Sequence, residues 1–407
     1  MRVLLSTIGS RGDVQPLAAL ASELRMLGVD VRFCVPPDFR EWIEGLGFSV
    51  TPIGPELRQA LPLVPSGTPA PFTPERRRQL AEATVAAQFE TVAAAAKDCD
   101  AIVAATALQI AARSVAETRR IPYVFVAYAP NVLPSPHHAP PRLPPMPGQP
   151  SAPAIVGNDE LWTRDRERFN DLFGGALNAH RAAVGLAPVS DVRAHVFTDR
   201  PWLAADATLA PWPDAAESVN QTGAWVLPDE RPLPSAVDRF LASGEPPIYF
   251  GFGSMRAPAF PGEIMVRAAR ANGRRFIVSR GWANLAPPDK GSDCLAIDEA
   301  NLQALFTRVA AVVHHGGAGT TTTAALAGAP QVVVPQIYDQ PYFAQRVNDL
   351  GIGTTHATET PDVDSLTDAI ERALTPGVAA RATSIAAVVR RDGARAAALQ
   401  VIRTGRG

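Results

Sequence analysis

Hydrophobic positions along the chain alternate between short continuous runs and helical spacing. Val3–Thr7 is an apolar run that ends in a turn at Gly9-Ser-Arg-Gly12. Leu17, Leu20, Leu24 and Leu27 then mark one face of a helix, with Pro16 expected in its first turn. Val29–Val35 and Phe48–Ile53 are the next predicted strands, with a short helix between them. A helical pattern follows from Pro74 to about Ala96, then the strands Ala101–Ala105 and Tyr123–Ala127. Continuous apolar strands separated by helices indicate a parallel sheet covered on both faces. A second series starts near Pro246. Its predicted strands are Ile248–Phe252, Phe276–Val278, Leu295–Ile297, Val309–Val313, Gln331–Val334 and Ile352–Thr355, and Ala379–Thr404 closes the chain as helix.

The two series meet around Trp212–Gln221. The expected fold class is therefore α/β, with two Rossmann-like doubly wound parallel-sheet domains facing across a cleft. The boundaries drawn are 1–215, 216–390 and a C-terminal helix, 391–407, packing back toward the first domain. Two proline-rich stretches interrupt the pattern, Gly54–Pro74 and Pro134–Pro153, the latter with nine prolines in twenty residues. Such stretches resist helix and central strand. They read either as surface linkers or as substrate-facing loops.

Composition narrows the chemistry. At roughly 100–200 residues per domain, 407 residues suit two or three domains. A net charge of −2 gives no basic excess for nucleic-acid backbones. Only Lys97 and Lys290 among the 38 basic residues are lysines, and neither lies in a Schiff-base or P-loop context. Cys34, Cys99 and Cys294 are far apart and form no C-x-x-C, which fits a reducing cytoplasm and no cysteine metal site. No leader-like or membrane-length apolar segment is seen, so a cytoplasmic protein without integral membrane association is expected.

Three places carry candidate chemistry. His314-His315-Gly316-Gly317-Ala318-Gly319-Thr320 follows a strand and opens a helical run. Small residues let backbone N–H groups approach an anion at a helix N-terminus, and a diphosphate is the natural guest. His315 can donate to the same oxygens, and the competing reading is a tight turn whose glycines relieve crowding. Asp339 and Gln340 fall at the carboxyl end of a strand, where an acid beside an amide suits sugar hydroxyls; a helix N-cap is the alternative. Asp13, after the first strand, is a candidate general base or again an N-cap. The triplets Asp98-Cys-Asp100 and Asp362-Val-Asp364 are set aside as metal sites. The first precedes a strand, and the second reads as an acidic first helical turn. His137-His138 reads as a solvated pair.

Together these segments resemble the inverting nucleotide-sugar glycosyltransferases of the GT-B fold. The enzymes that glycosylate glycopeptide antibiotics are most similar, and sterol glucosyltransferases come next. The matching segments are Gly9–Pro16, Gln221–Trp225, Gly251–Ser254, Ser279–Trp282, His314–Thr320 and Asp339–Phe343, in the expected order across nearly the whole chain. The resemblance implies an acceptor-binding first domain and a second domain that binds a dTDP- or UDP-sugar. It implies that Asp13 is the base, with Ser10 and Arg11 beside the diphosphate or sugar. Ser254, His315 and the Gly316-Gly317-Ala318-Gly319-Thr320 turn would hold the diphosphate. Asp339 and Gln340 would grip the sugar, and Ala296–Asn301 and Trp282 would lie near the nucleoside. It further implies a hexosyl transfer needing no metal and no cofactor beyond the donor. The acceptor would be a small natural product with a free hydroxyl, and the protein a monomer or weak homodimer. A sterol, other lipid or polyketide acceptor, or a non-catalytic sugar-nucleotide binder, are the alternatives.

Overall fold

The computed structural model describes residues 1–60, 73–141, 156–255, 262–287, 289, 291–358 and 360–405. Most of both proline-rich stretches, and Lys290, lie outside the described residues. The chain divides into two compact units. One holds Met1–Ala205, Pro211–Leu227 and Arg391–Gly407, and the other Asp206–Ala210 and Pro228–Arg390.

The first unit is built on seven strands: β1 (Arg2–Thr7), β2 (Asp30–Val35), β3 (Ser49–Pro52), β4 (Ala101–Ala105), β5 (Tyr123–Ala127), β6 (Trp202–Leu203) and β7 (Asn220–Gln221). They lie in the order β3-β2-β1-β4-β5-β6-β7, all parallel. Leu4, Cys34, Ile102 and Ala104 on one face of this sheet join Val92, Ala96, Val115 and Ala116 from covering helices. β7 adds to this sheet, which keeps residues 211–227 with the first unit rather than beyond a boundary at 215. The helix Gly393–Thr404 packs its Ala394, Ala397, Ala398 and Val401 inward, and it lies against the helix Arg11–Met26.

The second unit repeats the plan with β8 (Ile248–Gly251), β9 (Phe276–Ser279), β10 (Cys294–Ile297), β11 (Ala311–His314), β12 (Gln331–Val333) and β13 (Gly353–Thr355). Their order is β10-β9-β8-β11-β12-β13, again all parallel. In each unit the strand order reverses once, between β1 and β4 and between β8 and β11. Loops leaving the carboxyl ends at such a reversal diverge and leave a crevice, where open α/β sheets bind ligands.

Three details differ from expectation. The first helix begins at Arg11, so Asp13 is its third residue and Pro16 falls in its second turn. The helix after the glycine turn begins at Ala318, with Gly317 as its N-cap. Helices at Asn158–Phe169, Gly175–Ala183 and Val192–Phe197 add to the first unit beyond the predicted elements.

Candidate active site

In the first unit, Asp13 folds back on the loop that precedes its helix. Its Oδ2 accepts from the Ser10 backbone N–H at 2.6 Å and from Ser10 Oγ at 3.2 Å. Oδ1 receives no hydrogen bond from another described residue. A Cβ at Gly9 would run into this carboxylate, so glycine there is a condition of the arrangement. Burial pushes the Asp13 carboxyl up to about 6, although both Ser10 bonds pull the other way. Desolvation therefore wins over hydrogen bonding. The result is a carboxylate more basic than usual, at the carboxyl end of β1 and beside the strand-order reversal. Ser10 thus holds Asp13. Arg11 is stacked over the Trp42 ring at 3.6 Å, and its Nε donates to Gln15 at 3.1 Å.

In the second unit, four loops converge. Gly253, beside Ser254, accepts from the Trp282 N–H at 3.0 Å. A Cβ on Gly253 would stand 3.6 Å from His315 Cε1. Gly316, at φ +90, abuts the backbone of Gln340, where a Cβ would come within 3.0 Å of the carbonyl. Gln340 in turn reaches Met255 Sδ at 3.5 Å through Nε2. The loops after β8, β9, β11 and β12 are thereby tied together, and they carry Ser254, Trp282, the glycine turn and Asp339.

The two histidines have different tasks. His314 is the last residue of β11 and is wholly buried. Its Nε2 pairs with Gln331 Oε1 at 2.9 Å, and its Nδ1 accepts from the Gly316 N–H at 3.1 Å. One neutral tautomer satisfies both bonds, and burial holds its basicity down to about 3. His315 alone enters the turn. Burial lowers it to about 4, so it is neutral near pH 7, and its buried Nδ1 has no hydrogen-bond partner. An orphaned buried polar atom costs about 1–3 kcal/mol, a cost that a bound ligand oxygen can relieve. Gly319 and Thr320 lie in the first turn of the helix opened at Ala318, whose leading N–H groups have no intrahelical acceptor.

Gln340 is buried and turned inward. Its Oε1 accepts from the backbone N–H groups of Gln336 at 2.9 Å and Ile337 at 3.2 Å. Asp339 occupies the N-cap position of helix Gln340–Asp349 without making a capping bond, and Tyr338 before it is exposed at φ +57. In the run Ala296–Asn301, the Ile297 carbonyl accepts from Arg280 N–H at 2.9 Å. Asn301 caps the following helix and donates to the Asp229 and Arg231 carbonyls at 2.7 and 2.8 Å.

The remaining candidates resolve locally. Asp100 accepts from the Arg2 backbone at 2.6 Å, ahead of β4. Asp362 caps helix Val363–Ala373 through the Ser365 N–H at 2.8 Å. The expectation of a solvated histidine pair holds only for His137, which is exposed and 3.3 Å from Asp214. His138 packs edge-on to Trp162 and Trp212, because the loop folds back over both indoles. Asp289, Asp293 and Cys294 have metal-like spacing, but Arg270 pairs with both carboxylates at 2.7–3.0 Å and compensates their charge. Among the described residues no helix is long and apolar enough to cross a membrane. Sequence reasoning missed Gln331 and Tyr128. Gln331 opens the apolar run of β12 and Tyr128 stands one residue past β5, and a polar group at either end of a continuous apolar strand is the signal that marks both.

Two parallel-sheet α/β units, with candidate residues on loops leaving the carboxyl ends of their strands, are the setting in which family and sequence likeness define a glycosyltransferase. Family models match in both halves: the glycosyltransferase family 28 N-terminal domain over residues 3–135, and the erythromycin biosynthesis protein CIII-like C-terminal domain over residues 293–397. The chain belongs to this glycosyltransferase family. It is 48% identical over 400 residues to the vancomycin aglycone glucosyltransferase of Amycolatopsis orientalis, covering 98% of this chain and 96% of that one. It is 42% identical over 397 residues to the dTDP-epi-vancosaminyltransferase of the same organism, covering 95% and 93%. Sterol 3-beta-glucosyltransferase UGT80A2 of Arabidopsis thaliana is more distant, at 28% over 418 residues, covering 98% of this chain and 65% of that one. Among solved structures, the glycosyltransferase VinC in complex with dTDP superposes with a TM-score of 0.69 at 20% identity, covering 100% of both chains. The kitacinnamycin glycosyltransferase gives 0.71 at 20% identity, covering 99% and 98%. These two establish the GT-B fold.

Proposed function

We propose that this glycosyltransferase moves a hexose or deoxyhexose from a dTDP- or UDP-sugar to a hydroxyl of a glycopeptide-antibiotic aglycone, with inversion and without a metal. The full-length likeness to glycopeptide enzymes supports the acceptor class. The observation that carries the reaction is Asp13, a carboxylate with raised basicity and one oxygen that accepts from no other described residue, at the carboxyl end of β1.

In this reading Asp13 takes the proton of the acceptor hydroxyl, and that oxygen forms a bond to the anomeric carbon. The bond from that carbon to the diphosphate oxygen breaks on the opposite face, so configuration inverts. The nucleoside diphosphate leaves with the electron pair. The glycine turn's N–H groups, the neutral His315 and Ser254 stabilise the charge that develops there, as fixed donors do in water-poor sites. Asp339 binds sugar hydroxyls. Gln340, with its carbonyl engaged, contributes by shaping the loop, while Trp282 and the Ala296–Asn301 run border the nucleoside.

The test is a panel of UDP-glucose, dTDP-glucose and a dTDP-amino-deoxysugar against vancomycin aglycone and a sterol, read by mass. Anomeric configuration is read by proton NMR, and one arm contains excess EDTA. A β-linked product from an α-linked donor on the aglycone, undiminished by EDTA, is expected. Transfer to the sterol alone, retention of configuration, or loss in EDTA restored by Mg²⁺ would each refute the corresponding part.

A further inference from the structure

The segment Gln221–Trp225 matches the family pattern, yet the reaction above gives it no task. The structure connects it to the base. Tyr128 stands one residue beyond β5, and its hydroxyl donates to the main-chain carbonyl of Asp13 at 2.9 Å. That carbonyl sits where the helix is weakest. Pro16 has no N–H to give the Gly12 carbonyl, so the turn holding Asp13 lacks one bond of its ladder. An external donor at the next carbonyl compensates.

Tyr128 is itself braced. Trp225 is buried and meets its ring edge-on, with centroids 6.4 Å apart and planes at 76°. The Trp225 Nε1–H donates to Thr222 Oγ1 at 3.0 Å, and the Thr222 N–H donates to the Leu203 carbonyl at the end of β6. Between them Gly223, at φ +92, lies so close to Gly393 that a Cβ would stand 3.2 Å from its Cα. Glycine there allows the turn that presents Trp225. A continuous column thus runs from β6 through Thr222, Trp225 and Tyr128 to the backbone of Asp13.

We propose that Tyr128 is a positioning residue for Asp13, and that Thr222 and Trp225 hold Tyr128 in place. This rests on the reading of Asp13 as the base. The Ser10 amide and hydroxyl and Asp13's own amide bear on its carboxyl, and that carboxyl bears in turn on the Tyr128 phenol. Burial and the nearby Asp13 carboxylate hold that phenol protonated well above its ordinary range, so it remains a donor throughout the working pH. Removing its hydroxyl loosens the turn and lets water reach the carboxylate.

The test uses Tyr128→Phe and Trp225→Phe in the full chain, which keep the rings. The primary readout is the titration of the Asp13 carboxyl by carbon-13 NMR of aspartate-labelled protein, with its signal identified by loss in Asp13→Asn. The midpoint is expected near 6 in the unsubstituted protein. It is expected to fall by about 1 pH unit in Tyr128→Phe, and by less in Trp225→Phe, as the carboxylate gains hydration. With UDP-glucose and vancomycin aglycone, kcat should fall about 10-fold while donor KM stays within about twofold, as for a misplaced catalytic group. An unshifted midpoint in folded Tyr128→Phe overturns the proposal, even if melting temperature drops. Trp225→Phe probes the bracing separately, so its failure to fold leaves the decision with Tyr128→Phe. Normal turnover by Asp13→Asn would count against the base assignment instead, and the NMR midpoint does not depend on that assay.

Discussion

Asp13 destabilises the native state through the same raised basicity that supports its proposed role as base. Its folded value of about 6 lies above the ordinary carboxylate value of 3.8. A raised folded value means that stability is fully present below the unfolded value and is lost as pH rises through the folded one. The loss therefore accumulates between about pH 4 and pH 6 and persists above. Asp13→Asn keeps an oxygen to accept from Ser10 but removes the charge. It should melt higher than the unsubstituted protein at about pH 8 and no higher at about pH 3.5, by calorimetry. Its kcat should be lower by about 10²–10⁴-fold. Loss of stability at pH 8 would contradict this account of the shift. The sequence offered base or helix cap as alternatives for Asp13, and the structure has it in a capping box with a second oxygen that accepts from no other described residue. The raised basicity was not legible, because burial is a property of the surroundings.

At the scale of elements, the glycine turn was legible, since small residues after an apolar strand leave few other outcomes. The division of labour between His314 and His315 was not. It depends on β11 running one residue further than the apolar pattern, which puts His314 inside the sheet and its neighbour outside. Likewise Asp339 and Gln340 read as an equal pair, but the helix entry turns Gln340 into the loop. Gln340→Ala should therefore expose the Gln336 and Ile337 amides to hydrogen exchange by about 10-fold or more, while Gln340→Glu keeps an acceptor and most of the protection. Unchanged exchange in Gln340→Ala would show that the side chain does not hold the loop. β6 and β7, at two residues each, are too short for any periodic signal, and they exist because a neighbouring edge was there to receive them.

At the scale of the whole molecule, the repeated strand order was legible because each unit spells its sheet as continuous apolar runs. The chain's passage between units was less so: residues 206–210 and 228–390 belong to one unit and the rest to the other. Asp206 shows why the short excursion is stable, since its carboxylate accepts from the Arg390, Thr208 and Leu209 N–H groups at 2.8–3.2 Å. A chain ending at Arg390 would uncover the helix Arg11–Met26. Its first unit should melt lower by about 5–10 °C while the second keeps its transition, as seen by calorimetry. Coincident, unchanged transitions would show that the last helix adds little. That helix also has a meaning in the order of synthesis. The helix it covers, Arg11–Met26, is made long before its own twelve residues, Gly393–Thr404. At ~5–20 residues per second the interval is about 20–75 s. Throughout that time the helix bearing Asp13 waits without its cover, so the helix Gly393–Thr404 serves as a completeness check: a chain ended before it carries Asp13 on an unfinished unit.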